Sequence, residues 1–174
     1  YAPGGLAYHV INRGTGRMRL FAKSGDYRSF EKVLIEAHDR VAMRLCAYVL
    51  MPNHWHLVLW PHSDGDLSRF MGWLTMTHSQ RWHAHRGTAG TGHIYQGRFK
   101  SFPIQTDGHF LNVCRYVERN PLRAKLVDRA ENWFWGSFAQ GRKGAEDVVP
   151  VSDWPVPRPR NWAQLVNESQ PPDV

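Results

Sequence analysis

The chain predicts an α+β fold, an antiparallel sheet with helices packed mainly on one face. Three observations predict it. Short runs rich in β-branched and aromatic residues alternate with stretches whose apolar residues recur every three or four positions. Two of the apolar runs are separated by a turn of hairpin length. Hydrophobic residues make up 42% of 174 residues and include eight Trp, enough burial to offset chain ordering in one packed domain without disulfide staples.

Leu6 to Asn12 has the composition of a first strand, ended by Gly14 and Gly16 in a loop that also carries Arg13 and Arg17. From Asp26, a candidate N-cap, Tyr27, Phe30, Val33, Leu34, Ala37 and Val41 trace an amphipathic helix. Met43 to Leu50 and His54 to Trp60 read as a hairpin, turned at Met51-Pro52-Asn53 by two turn-forming residues. Asp66 is the candidate cap of a second helix. Leu67, Phe70, Met71, Leu74 and His78 mark its buried stripe, and it extends to about Arg86 before glycines at 87, 90 and 92 break it. Ser101 to Gln105 is a short strand, and Asp107 caps a third helix carrying Phe110, Leu111, Cys114, Tyr116 and Val117, interrupted at Pro121. The order strand, helix, hairpin, helix, strand, helix is that of a ferredoxin-like or RRM-like split β-α-β sandwich. From Val148 onward, Pro150, Pro155, Pro157 and Pro159 interleave with Trp154 and Trp162, which favours extended polyproline conformation and docking of the two Trp on a surface. Residues 1–147 are therefore expected to form the main domain and 148–174 a Pro- and Trp-rich tail.

Lys and Arg total 22 against 15 Asp and Glu, a balance of +7 that attracts polyanions and places nucleic acid first among partner classes. The only cysteines, Cys46 and Cys114, lie in apolar runs, which excludes a cysteine-based zinc site and suits reduced thiols in a cytoplasmic protein. No apolar run is long enough to span a bilayer and no signal segment opens the chain, so no membrane partner is expected. The chain begins with Tyr1 and stops soon after Pro171-Pro172, so the natural product is expected to extend at one end or both.

His54-Trp55-His56 lies within the second hairpin strand, where alternation puts both imidazoles on one face, about 7 Å apart along the strand, and Trp55 on the other. That suits two ligands of one metal ion, although a lone His-x-His is also compatible with histidines that merely pack. His83 and His85 repeat the spacing near a helix end, where they diverge. Tyr116 and Asn120, four apart, are neighbours on one helix face. If that face meets the histidines, the phenol and the amide oxygen reach the same ion. Two roles stand open for each residue: Tyr116 as nucleophile or core aromatic, and Asn120 as ligand or as N-cap of a new helix starting at Pro121. A phenol titrates near 10, so a nucleophilic Tyr needs a polarised electrophile or cationic neighbours such as Arg115 and Arg119.

Tyr48-Val49-Leu50-Met51-Pro52-Asn53-His54-Trp55-His56-Leu57-Val58-Leu59, then Gln96-Gly97-Arg98-Phe99-Lys100-Ser101, then Arg115-Tyr116-Val117-Glu118-Arg119-Asn120-Pro121-Leu122-Arg123-Ala124, resembles the single-tyrosine HUH transposases. Among these it is most similar to the REP-associated tyrosine transposases of bacteria, over about Tyr8 to Trp135. The resemblance implies a DNA endonuclease and strand transferase acting on single-stranded or REP-type hairpin DNA. It implies Mg²⁺ or Mn²⁺ held by His54, His56 and Asn120, and attack by Tyr116 to give a 5′-phosphotyrosine. It also implies a monomer working at the nucleoid, with a C-terminal segment near the active site. The family often has an aliphatic residue where Trp55 stands, but Trp55 faces away from the ion.

Arg13, Arg17, Arg98, Lys100, Arg115, Arg119, Arg123 and Lys125 are candidate phosphate partners, and Tyr95, Phe99 and Phe102 are candidate stacking platforms for unpaired bases. Two other functions fit the same residues less fully: a ferredoxin-like nucleic-acid-binding module without catalysis, and a metallohydrolase using water, which leaves no protein-linked product.

Overall fold

The computed structural model describes residues 2–170. Four strands, β1 (Ala7–Arg13), β2 (Met43–Met51), β3 (His54–Pro61) and β4 (Lys100–Ile104), form one antiparallel sheet in the order β2-β3-β1-β4. The long helices are α1 (Ser24–Arg40), α2 (Asp66–Arg86) and α3 (Asp107–Arg123), and a short α4 (Trp162–Asn167) follows. This is the ferredoxin-like arrangement, with the His-x-His strand in the middle of the sheet.

Alternation along the strands divides the interior into two cores. Tyr8, Val10, Tyr48, Leu50, Trp55, Leu57 and Leu59 meet α1 and α2 through Phe30, Leu34, Phe70 and Leu74. Ala7, Val49, Met51, Val58 and Ile104 meet α3 through Phe110, Cys114 and Val117. Helices thus cover one face as expected for α1 and α2, while α3 packs on the other. Each fully buried large apolar side chain contributes roughly 1.5–3 kcal/mol by leaving water, so both faces are anchored firmly.

The helix starts are capped differently from expectation. Asp26 lies inside the first turn of α1, where its carboxylate accepts from the backbone N–H of Ala22 at 2.8 Å and Lys23 at 3.2 Å. Asp66 is likewise the first residue of α2 and accepts from Ser63 N–H at 3.0 Å, while Thr106, not Asp107, caps α3 by accepting from His109 N–H at 3.1 Å. Thr106 thus reaches an orphan donor of the first turn of α3, whereas Asp26 and Asp66 reach back to N–H groups of the residues that lead into α1 and α2 and fix the entry of the chain.

Pro121 does not interrupt α3, and Asn120 starts no new helix. The helix runs through both and ends at Arg123. Its stop is the turn that follows: Leu126 N–H donates to the Pro121 carbonyl and Lys125 N–H to the Leu122 carbonyl, with Lys125 in the left-handed region at φ 60°. This is a Schellman closure with Lys where glycine is usual. Proline there forfeits the bond its missing N–H would have made and crowds the Val117 carbonyl one turn back, a local cost the helix bears without breaking.

The segment after Val148 is partly helical, not wholly extended. Val149, Val156, Trp162 and Val166 are buried, Trp154 Nε1 donates to the Cys46 carbonyl at 2.8 Å, and Trp162 Nε1 donates to Glu118 at 2.7 Å. Both Trp dock as their composition predicts. The last four residues of the expected tail lie outside the described residues. Among the described residues no helix is long and apolar enough to cross a membrane.

Candidate active site

The register of β3 against its neighbours sets His54 opposite Arg13 and Met51, and His56 opposite Ile11 and Val49. The two imidazoles point to the α3 face with ring centroids 5.1 Å apart, and Trp55 is buried on the opposite side. Behind them the hairpin turn is held by the loop after β1: Gly14 N–H donates to the Asn53 carbonyl, and Leu20 and Phe21 N–H to that of Pro52. Gly14 has to be glycine, because a Cβ there would lie 2.4 Å from the Met18 carbonyl oxygen.

From above, α3 delivers Tyr116 and Asn120 to the same place. The Tyr116 ring centre lies 5.6 Å from that of His56, edge to face. The Asn120 amide nitrogen lies 3.4 Å from His56 Nε2. Half-turn rotation of that amide brings its oxygen to the same position. The pairing inferred from a four-residue spacing is thus realised, because α3 stays helical through Asn120. Arg123 Nη1 donates to the Tyr116 hydroxyl at 3.1 Å, so the cation touching the candidate nucleophile is Arg123.

Burial, reinforced by repulsion from His9, His54, Arg13 and Arg123, holds His56 well below the usual imidazole range. Burial and then Arg13 lower His54 to about 4, and burial and then His109 lower His9 to about 4. All three rings are neutral at pH 7 and keep a lone pair. Two neutral imidazole nitrogens with one carboxamide oxygen suit a divalent cation that also takes water and phosphate oxygens. Among the described residues no group of three or more His, Cys, Asp or Glu is placed to hold a metal. The polar group that α3 brings to His56 Nε2 is the Asn120 amide.

The candidate DNA contacts separate into groups. Arg13 and Lys100 are exposed on the histidine face, Lys100 across from Ile11. Arg123 and Lys125 are exposed at the end of α3, and Arg17 on the loop after β1. Arg98 lines a cleft of about 820 Å³ between α2 and the 89–99 loop, on the other side of the sheet from His56. Arg115 and Arg119 are engaged within the chain: Arg115 Nε donates to the Leu165 carbonyl at 2.6 Å, and Arg119 Nη1 to that of Val166 at 2.9 Å. They pin α4 to α3, a role their position beside Tyr116 in the sequence does not reveal.

The aromatic candidates separate too. Phe102 is 51% exposed and stands 6.3 Å from His9, free to meet a base. Phe99 is partly buried against the core. Tyr95 is buried, its hydroxyl accepting from Trp55 Nε1 at 2.9 Å and lying 2.6 Å from His78 Nδ1. His83, discounted as a ligand, bonds Thr88 and the Gly92 carbonyl.

Sequence reasoning missed His9. It lies on β1 beside the pair, with Nε2 2.8 Å from His56 Nδ1 and its ring 6.2 Å from Tyr116. Alternation shows that His9 shares a face with Ala7 and Ile11, but only the strand register tells which face of β3 that is.

A family model described as IS200-like transposase matches residues 4–120, a span that ends on Asn120. A solved structure of a REP-associated tyrosine transposase bound to a REP hairpin is similar, with a TM-score of 0.65 and 21% identity, covering 89% of this chain and 92% of that one. At that identity the likeness concerns the fold. A crystal structure of a candidate transposase from Deinococcus radiodurans matches with a TM-score of 0.48 and 16% identity, over 65% of this chain and 88% of the other. No curated protein matches the sequence.

Proposed function

Because this chain belongs to the IS200-like transposase family, we propose that it cleaves and rejoins single-stranded DNA beside REP-type hairpins, with Tyr116 as nucleophile and a 5′-phosphotyrosine as intermediate. The observation that carries this reading is the meeting of a phenol, two neutral imidazoles and a carboxamide on one face of the sheet, with Tyr116 5.6 Å from His56 and Asn120 at its Nε2.

His54, His56 and Asn120 are the residues that hold the divalent cation, Mg²⁺ or Mn²⁺. Bound there, it supplies Lewis-acid stabilisation of charge on the phosphate oxygens. Tyr116 Oη forms a bond to the scissile phosphorus and loses its proton to solvent, while the bond to the 3′-oxygen breaks and that oxygen leaves. The Arg123 guanidinium stabilises the phenolate as it develops. The phosphotyrosine keeps the energy of the broken ester, so attack by a 3′-hydroxyl reverses the step without ATP. Arg13, Lys100, Arg123 and Lys125 stand around the pocket for phosphate contacts, Arg17 offers a further positive point on the loop after β1 and Arg98 one in the cleft across the sheet, and Phe102 offers a stacking platform. The protein is proposed to act on this DNA as a monomer.

Incubation with labelled hairpin oligonucleotides and Mn²⁺, followed by a denaturing gel, tests the reading. A DNA-linked protein band that disappears with EDTA and in Tyr116→Phe, while Tyr116→Phe still binds the hairpin, is the expected result. Free cleaved DNA with no linked protein points instead to a hydrolase, and binding without any cleavage to a non-catalytic module.

A further inference from the structure

Each of the paired histidines uses its second ring nitrogen in a hydrogen bond, and the two bonds require the same tautomer. His54 Nδ1 lies 2.7 Å from Oδ1 of Asn53. An amide oxygen only accepts, so the His54 proton sits on Nδ1 and its Nε2 keeps the lone pair. His56 Nδ1 lies 2.8 Å from His9 Nε2. The ring centroids of His9 and His56 are 5.0 Å apart with 20° between their planes, so the rings meet nearly edge to edge, where the lone pair and the N–H lie. On the far side of His56 the Asn120 amide, before any half-turn that presents its oxygen to a cation, sets its nitrogen, a donor only, toward Nε2. The His56 proton is therefore on Nδ1 and is given to His9.

We propose that His9 and Asn53 are positioning residues, which lock His56 and His54 as Nδ1–H tautomers so that both Nε2 lone pairs are presented to one divalent cation. The inference rests on the reading of His54 and His56 as the cation-holding pair. Its physical content is that an unconstrained neutral imidazole in water favours the opposite tautomer, with the proton on Nε2, which blocks the donor atom. A ring whose Nδ1–H is already bonded is also held in orientation, and outer partners of this kind are typically worth 10- to 100-fold in metal affinity. Asn53 is further restrained because its own carbonyl is tied to Gly14 N–H. His9 gains restraint from its place in the middle of β1, paired on both sides.

The test has a readout that needs neither metal nor DNA. Long-range ¹H–¹⁵N correlation spectra of the metal-free protein report which nitrogen of each ring is protonated, and Nδ1–H is expected for both His54 and His56. In His9→Phe, which keeps a ring but offers no acceptor, His56 moves toward Nε2–H and Mn²⁺ affinity, followed by the EPR signal of the free ion, falls about 10- to 100-fold. His9→Gln, whose carbonyl again accepts, recovers most of it, and Asn53→Asp is tolerated where Asn53→Ala is not. Nε2–H on either ring of the wild-type protein overturns the proposal, as does His9→Phe binding Mn²⁺ like wild type. The wild-type spectrum decides even if His9→Phe does not fold. Wild-type protein that binds no Mn²⁺, or binds it equally well as His56→Ala, sinks the underlying site reading instead.

Discussion

Arg123 is the residue whose removal tests the chemistry most directly. Its Nη1 donates to the Tyr116 hydroxyl at 3.1 Å and its guanidinium carbon lies 5.5 Å from the ring centre. The hydroxyl bears partial negative charge as it attacks, so this hydrogen bond is stronger in the transition state than in the ground state, which is the condition for accelerating the step. A hydrogen bond to a charged group contributes about 1.5–3 kcal/mol. Because Arg123 is exposed and solvent screens it, the lower end applies, about 1.5 kcal/mol, or roughly tenfold in rate. Arg123→Met keeps an unbranched apolar stem like that of arginine and removes the donor. The measurement is the single-turnover rate of covalent complex formation at saturating hairpin DNA, so that any loss of DNA affinity drops out. A rate within twofold of wild type refutes the role. A deficit that vanishes as DNA is raised shows that Arg123 only helps binding. Arg123→Lys, which retains charge without the planar fork, is expected to fall between.

Three further outcomes are expected. His78 is 2% exposed and burial lowers it to about 3, so the folded state keeps it neutral where the unfolded chain, titrating near 6.5, takes a proton. Stability is therefore full above about pH 6.5 and falls as pH drops, by about 2 kcal/mol at pH 5 from this group alone. Urea melts at pH 7.5 and 5.0 check this, and a His78→Gln variant that loses just as much stability between the two refutes the assignment. Arg115→Ala removes the donors to the Leu165 and Glu168 carbonyls and should loosen α4 by about 1–2 kcal/mol, seen as faster amide exchange over residues 162–168. Unchanged exchange there means that Trp162 and Val166 suffice to hold the helix. Lys125→Gly relieves a left-handed backbone position and should raise stability by up to about 1 kcal/mol, less the entropy that glycine loses. A lowered urea midpoint contradicts the Schellman account of how α3 ends.

Local pattern was enough to read most elements and the core of the site. Apolar periodicity located all four strands and the three long helices, because burial on one face imposes a period of two or of three to four wherever it acts. His54 and His56 on one strand face, and Tyr116 and Asn120 on one helix face, follow from the same geometry. Cap positions were displaced, since Asp26 and Asp66 satisfy donors from within the first turn, which propensity alone cannot distinguish from capping before it. Pro121 misled because its local cost, one lost bond and crowding one turn back, is outweighed by the packing of Phe110, Cys114 and Val117 that holds α3 on the sheet.

What the sequence by itself determined is which residues share a face, for that depends only on backbone periodicity. What tertiary structure alone decided is which faces meet. The register of β1 against β3 put His9 against His56, and the docking of α3 over the sheet put Tyr116 above that pair. The return of residues 148–170 across α3 assigned Arg115 and Arg119 to the chain and left Arg123 to the tyrosine. Contacts between segments far apart in sequence are selected by the packing of whole surfaces, and no short window carries that information.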